Sequence, residues 1–352
     1  MQAFQHLRQS ETISPTHLSP KTHLNTCFGV SLHPQNSFNP MNAPKCCAIV
    51  VTYNGQDYIN NCLDSLNRCT PKINLIIVDN GSQDDTAQIV QGFPEVVLIQ
   101  TGTNIGFGAA NNLGIEYAYN HLNADFVLLI NQDAYINSDS WSRFFDLPQE
   151  VKDNLVGLMQ FGPDGRAFDF NFRNIYISEK NCPGLIEDAF SGRLKDYYEA
   201  KFLNAAAWVL PRKILEHVGG FSPAFFHYGE DNNYIDRINH WGFKLYLTPK
   251  ISVIHDRTES SKGSTTYFHS RQAKERELIL ALSHPKCGSS KKQFFAQILR
   301  WMIKDVLLLK SGRIATSPLA FKLLSDGTVA RVIKFRQQSL HPTSFLQLQE
   351  ST

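Results

Sequence analysis

"CCAIVVTYN", residues 46–54, is the first patterned stretch of the chain, and the fold turns on how it is read. Six apolar residues follow one another without alternation and run straight into Thr52, Tyr53 and Asn54. A strand with one wet face alternates apolar and polar residues, so an unbroken apolar run describes a strand covered on both faces. The adjacent Cys46 and Cys47 would then point to opposite faces and act as small core residues. "YINNCLDSLNRC", 58–69, follows with apolar residues at helical spacing.

The unit recurs. "INLIIVDNGSQD", 73–84, leads to a helix around 84–92; "VVLIQT", 96–101, passes through a Gly-rich turn into a helix near 107–122; "DFVLLINQDA", 125–134, closes the series. Apolar strands each followed by a helix predict a mainly parallel, Rossmann-like α/β sheet with helices on both faces. In such sheets ligands sit beyond the carboxyl ends of the strands. The polar residues fall there: Thr52, Tyr53 and Asn54, then Asp79 and Asn80, Asn104, and finally Asn131 and Asp133.

Each strand end has a chemical and a purely structural reading. Asp133 could hold a divalent cation that bridges two phosphate oxygens, or it could form an Asx turn or helix cap. A buried Asp79 could accept the imide N–H of uracil or thymine. Ser82, Asp84 or Asp85 would suffice to cap the next helix, and capping does not require Asp79 as well.

The ordered motifs "VVTYN" (50–54), "VDNGSQD" (78–84), "NIGFGAANNLG" (104–114), "LLINQDA" (128–134) and "GGFSPAFFHYGEDNNYIDRINHWG" (219–242) together resemble the family-two inverting glycosyltransferases, most closely their rhamnosyltransferase-like branch. The resemblance spans roughly 46–256 and implies a type-A glycosyltransferase fold with a nucleotide-sugar half (45–135), an acceptor-binding and catalytic half (136–262) and a C-terminal helical extension (263–352). It places Thr52 and Tyr53 at the base, Asp79 in a hydrogen bond to it, and Asn111 in the nucleotide pocket. Asn54, Asn80, Asn131 and Asp133 complete the donor-binding set.

The acidic motif of that family is usually Asp-X-Asp. Here Asn131 stands at its first position, which removes one negative charge from the cation site. By the same resemblance Asp231 is the base that deprotonates the acceptor hydroxyl, with Glu230 beside it, and His255 joins Asp133 as a ligand to Mg²⁺ or Mn²⁺. Two adjacent carboxylates also suit a helix N-terminus, and a lone histidine after an apolar strand is often structural. Trp208 and Tyr228 are the aromatic candidates for stacking an acceptor sugar.

The rest of the sequence bounds the function class. At 352 residues, 42% hydrophobic and 19% charged, the chain can bury an enzyme-sized core, and a net charge of +2 gives no reason to invoke nucleic acid. Seven cysteines without metal or disulfide spacing fit a reducing, cytoplasmic compartment, with the inner face of the membrane as a further placement. Residues 1–44 read as a mobile tail, with Met41 a candidate alternative start, and the final dozen residues as frayed. "KKQFFAQILRWMIKDVLLLK", 291–310, mixes an apolar face with Lys291, Lys292, Arg300, Lys304 and Lys310, as a helix on an anionic membrane would, or one packed on the catalytic domain or on a second subunit of a homo-oligomer. The predicted activity is transfer of a hexosyl or deoxyhexosyl unit, such as rhamnosyl, from a nucleoside diphosphate to a glycan or lipid-linked acceptor in cell-surface polysaccharide synthesis. Two alternatives remain: an inactive nucleotide-sugar-binding or scaffold protein of the same fold, and nucleotidyl transfer, for which "TYNGQDY" lacks the basic phosphate loop.

Overall fold

The computed structural model describes residues 44–256, 271–286, 296, 299, 300 and 322–349. The tail before Pro44 and nearly all of 291–310 lie outside the described residues.

The predicted units form as read. Strand β1 (Cys46–Thr52) leads into helix α1 (Ile59–Asn67), β2 (Ile73–Asp79) into α2 (Thr86–Gln91), and β3 (Val96–Gln100) into α3 (Phe107–Leu122), before β4 (Phe126–Ile130) and the short β5 (Ala134–Ile136). The short helices α4 (Arg143–Asp146) and α5 (Gln149–Lys152) then lead to β6 (Leu155–Phe161). After α6 (Leu185–Phe190) come β7 (Tyr198–Ala200), β8 (Ala207–Pro211), α7 (Arg212–His217), α8 (Glu230–His240) and β9 (Leu245–His255). Two further helices are described, Arg271–Ser283 and Thr328–Ser339.

All the strands join one sheet in the order β3-β2-β1-β4-β8-β6-β9-β5, with β7 also paired to β9. The pairs β3/β2, β2/β1 and β1/β4 are parallel. Strand β8 is antiparallel to both β4 and β6, and β9 is parallel to β6. Two antiparallel steps restore the original direction, so β9 runs the same way as β4. The carboxyl end of β9, and His255 with it, therefore emerges at the sheet edge where β1, β2 and β4 end.

Both sheet faces are covered, which explains the missing alternation. Cys46, Ala48 and Val50 enter a core with α1 residues Ile59, Cys62, Leu63 and Leu66. Cys47, Ile49 and Val51 enter the opposite core with Ala110, Ile115 and Ala118 of α3. The adjacent cysteines thus do face opposite ways, and burial pushes the Cys47 thiol up to about 12. "FGPDGRAFD" makes the expected turn, closed by Gly165 N–H to Gly162 O at 2.9 Å, although only a single bridge, Phe161 with Phe168, follows it.

The C-terminal expectation is overturned. Residues 343–349 are fastened to α3, α7 and α8 rather than frayed. The Asn112 amide donates to Phe221 O at 2.9 Å and Phe345 O at 3.3 Å, Asn120 donates to Gln347 O at 2.8 Å, and Gly220 N–H donates to Ser344 O at 2.8 Å. Gly219 sits at φ +81°, where a Cβ would strike the Ser344 backbone, so the tail fits only against glycine. Fully buried Arg237 of α8 donates to Gly220 O, Val218 O and Ser344 Oγ. Burial lowers its guanidinium to about 10, so it stays charged near neutral pH and three oxygens share that charge.

Replacing Arg237 with Leu takes this donor from Gly220 O and Ser344 Oγ in a buried site, while Val218 O keeps the Ser344 hydroxyl at 3.0 Å, at a cost on the order of 1–3 kcal/mol for each oxygen left unsatisfied. Urea denaturation of Arg237→Leu is expected to show a loss of several kcal/mol, and hydrogen exchange to show residues 343–349 opening before the sheet does.

Candidate functional site

The ends of β1 and β2 are held in line beyond the last sheet residue. Thr52 and Asp79 are register partners, and Asn80 N–H donates to Thr52 O at 2.8 Å. From the far side of β1 comes Gln132, the residue between Asn131 and Asp133. Its Oε1 accepts from Thr52 Oγ1 at 2.6 Å and from Tyr53 N–H at 2.9 Å, and its Nε2 donates to Tyr53 O at 3.3 Å. The Tyr53 backbone is thereby clamped while its side chain stays 44% exposed, a flat face on which a base can stack. Asp79 is buried, and its Oδ1 accepts the N–H of Ser82 at 3.2 Å.

Three of the expected donor residues spend their side chains on the protein itself. Asn54, in the left-handed region at φ 48°, accepts from Gln83 N–H at 2.8 Å. Asn80 accepts from Ile105 N–H at 2.9 Å and donates to Asn104 Oδ1 at 3.1 Å, which ties down the loop before α3. Asn111 is buried and donates to Phe107 O at 3.0 Å. Asn54 and Asn80 brace the loops beyond the strand ends, and Asn111 bonds back one turn along α3.

The candidate cation ligands meet at the crossing of β9 and β5. Ala134 pairs with His255, and Asp256 N–H donates to Asp133 O at 2.8 Å. His255 Nε2 lies 3.4 Å from Asp133 Oδ1 and 3.5 Å from Asn131 Nδ2. Neighbouring ligands on one hard divalent cation stand roughly 3 Å apart when bonds are near 2.1 Å, so this oxygen and nitrogen fit a shared ion. Among the described residues no group of three or more His, Cys, Asp or Glu could hold a metal alone. The protein offers two strong donors, with the amide of Asn131 beside them.

The candidate base stands at the start of α8, behind a tight backbone bend at Tyr228 (φ 63°) and Gly229 (φ 96°). Glu230 is nearly buried against α3, where a Cβ on Gly108 would come 3.8 Å from its own Cβ. Burial, then the neighbouring Asp231, lifts its carboxyl to about 7. Asp231 is partly buried, and desolvation of its carboxyl raises its pKa too. The helix start would favour ionised carboxylates, and desolvation outweighs it here. Phe107 N–H donates to Phe226 O at 3.2 Å, which joins the loop carrying these acids to the first turn of α3.

The two aromatic candidates part company. Tyr228 is half exposed and reaches the surface, with its ring centre 3.9 Å from that of His227 and 5.7 Å from Arg276 of the helix Arg271–Ser283. Trp208 does not: it is 0% exposed, lies in β8 between β4 and β6, and packs against Phe221 and Tyr234. An interior strand covered on both faces cannot offer a ring to a sugar, so Trp208 is a core residue.

Sequence reasoning passed over Gln132, Asp169 and Arg276. Gln132 carried a signal, since it lies inside the motif. Asp169 follows a turn in the least patterned part of the chain and is buried with Oδ2 4.0 Å from His255 Nδ1. Arg276 lies about 45 residues past the acids, and only packing of the helix Arg271–Ser283 brings it to Gly229, where its Cγ is 3.0 Å from the position of a Cβ.

Residues 47–219 match the family described as Glycosyl transferase family 2. Over 300 residues the chain is 24% identical to the N-acetylglucosaminyl-diphospho-decaprenol L-rhamnosyltransferase of Mycobacterium tuberculosis, covering 77% of this chain and 93% of that protein. It is 23% identical to the rhamnosyltransferase WbbL of Escherichia coli over 223 residues, covering 59% of this chain and 81% of that one. Among solved structures, TarS 1–349 of S. aureus in complex with UDP-GlcNAc is similar in fold, with TM-score 0.50 and 18% identity over 84% of this chain and 88% of that one.

The raised Glu230 carboxyl has a stability consequence. A carboxyl that holds its proton more tightly when folded stabilises the fold fully below its ordinary value of 4.5, and that contribution is lost as pH rises through about 7. For a shift of this size the loss is about 3 kcal/mol. Glu230→Gln keeps the shape without the charge, so denaturation at a series of pH values is expected to show the native chain weakening between those limits and the variant weakening markedly less.

Proposed function

Because the chain carries a glycosyl transferase family 2 domain over residues 47–219 and is a glycosyltransferase of that family, we propose that it moves a hexosyl or deoxyhexosyl unit, with rhamnosyl the leading candidate, from a nucleoside diphosphate to a hydroxyl of a glycan or lipid-linked acceptor, with inversion. The observation that carries this reading is the cation-sized spacing of Asp133 and His255 at the strand ends, together with Asp231 at the start of a helix whose preceding loop is tied through Phe226 to the first turn of α3.

On this reading the clamped Tyr53 supports the base by stacking, and Asp79 accepts its imide hydrogen. Asp133 and His255 would hold a divalent cation, which would supply positive charge against the negative charge that builds on the leaving diphosphate. Asp231 takes the proton of the acceptor hydroxyl as it attacks the anomeric carbon from the side opposite the diphosphate. Its desolvated carboxylate is a stronger base than an exposed one. Glu230 behind it fills the wall against α3, and Tyr228 offers the acceptor an aromatic face.

The acceptor would then lie at a membrane surface, where the apolar and basic pattern of 291–310 would bind anionic lipid. Among the described residues no helix is long and apolar enough to cross a membrane.

Two measurements test this. With UDP-, GDP- and dTDP-sugars, candidate acceptors and Mg²⁺ or Mn²⁺, the native chain is expected to release one nucleoside diphosphate, and Asp231→Asn to lose about 10²-fold or more of that rate, the usual worth of a positioned base. Binding without release across the panel would favour the scaffold alternative. In the full-length protein, Lys291→Glu, Lys292→Glu and Lys304→Glu combined are expected to abolish co-sedimentation with anionic liposomes, and equal pelleting would sink the membrane contact.

A further inference from the structure

Tyr53 lies one residue past the end of β1, where sheet pairing has ended, and a backbone polar group without a partner is costly wherever water is kept away. One side chain meets both of its backbone groups. The Gln132 amide accepts from Tyr53 N–H at 2.9 Å and donates to Tyr53 O at 3.3 Å, the two-bond exchange that a residue on a paired strand would make. Only one orientation of the amide serves, since a flipped group would set Nε2 against the Tyr53 N–H. Thr52 Oγ1 donates a third bond to the same oxygen, at 2.6 Å.

The space for this amide is built as well. A Cβ on Gly55 would strike Gln132 Oε1 and come 2.8 Å from Thr52 Oγ1. Gly55 lies outside the left-handed region, so close approach of the amide, and not a turn conformation, is what calls for glycine there. The result is an exposed ring on a fixed backbone.

We propose that Gln132 is a positioning residue for the donor base: it touches no part of the nucleotide, and it holds the Tyr53 ring in the orientation on which the base stacks. The proposal rests on the reading of Tyr53 as the stacking residue. A ring fixed before the ligand arrives costs less to order on binding, so the clamp contributes affinity through Tyr53 alone.

Binding of UDP, GDP and dTDP to the full chain, in EDTA so that no cation contributes, separates this role from a merely structural one through a double-mutant cycle. Gln132→Met keeps the length of the side chain and removes the amide, and Tyr53→Ala removes the ring. The chain carrying both changes shows whether the effect of Gln132 passes through that ring. A second readout needs no ligand: hydrogen exchange of the Tyr53 amide in ¹⁵N-tyrosine-labelled protein, with Tyr53→Phe to assign the signal, reads the clamp directly.

The native chain is expected to bind one of the three nucleotides best, and Tyr53→Ala to weaken that binding by roughly 5- to 100-fold, the usual worth of a base stacked on an aromatic side chain. Gln132→Met is expected to cost several-fold alone and nothing further when added to Tyr53→Ala, and to release the Tyr53 amide from protection. Equal losses from Gln132→Met in both backgrounds would overturn the proposal, as would a Tyr53 amide that exchanges at the same rate with and without Gln132. Full affinity in Gln132→Met beside a weakened Tyr53→Ala would sink the proposal and leave the stacking reading standing. If Tyr53→Ala bound as the native chain does, or the native chain bound none of the three, the stacking reading would fall and the proposal with it. Should Gln132→Met melt early, Gln132→Asn, whose amide is one methylene too short to reach both Tyr53 groups, gives the second reading: a loss seen only when the ring is present supports the proposal, and full affinity with an unprotected Tyr53 amide overturns it.

Discussion

A strand buried on both faces can show a polar side chain only where it leaves the sheet, and the organisation of this molecule follows from that constraint. Strand β1 has no wet face, since alternate residues enter the two cores. Its first chemically useful groups are therefore Thr52, Tyr53 and Asn54. The same holds for Asp79 after β2 and for Asn131 and Asp133 after β4. Parallel pairing puts these ends on one edge, and the two antiparallel steps through β8 bring the end of β9 back to it. A row of polar residues at that edge is what a two-sided sheet must produce once its strands agree in direction.

What turns an edge into a site is cross-bracing between its parts. Gln132 ties the end of β4 to β1, so the exposed Tyr53 ring and the Asp133 carboxylate move as one piece. The Phe107 to Phe226 hydrogen bond ties the start of α3 to the loop that presents Glu230 and Asp231. On the far side of α8, Arg237 binds the C-terminal strap, which also grips α3 through Asn112. The helix that carries the acids is thus held by neighbours at both ends of its sequence. Desolvation from this packing raises the two carboxyl groups against the pull of the helix start.

Much of this was legible because it depends on local pattern. The strand and helix succession, the strand-end carboxylates, the buried cysteines and the Glu-Asp helix start all follow from runs and spacings within a few residues. Trp208 misled because an aromatic beside polar residues looks like a platform, and nothing in its neighbours says that β8 is an interior strand. The tail misled because its anchors, Asn112, Asn120 and Arg237, lie more than one hundred residues upstream. The motifs place Asn54, Asn80 and Asn111 but do not name the partners of their amides, which are Gln83, Asn104 with Ile105, and Phe107.

The sequence by itself determined the α/β class, the end of the sheet where chemistry gathers and the residue types present there, because hydrophobic period and strand termination are local properties. Tertiary structure decided the rest. Which strands are interior, which carboxylate stands behind His255, and how a distant arginine and residues 343–349 reach the helix that carries Glu230 and Asp231 are set by contacts between segments far apart in the chain. Asp169 is the sharpest case: its turn is readable, but its place beside the histidine exists only once β6 and β9 lie side by side.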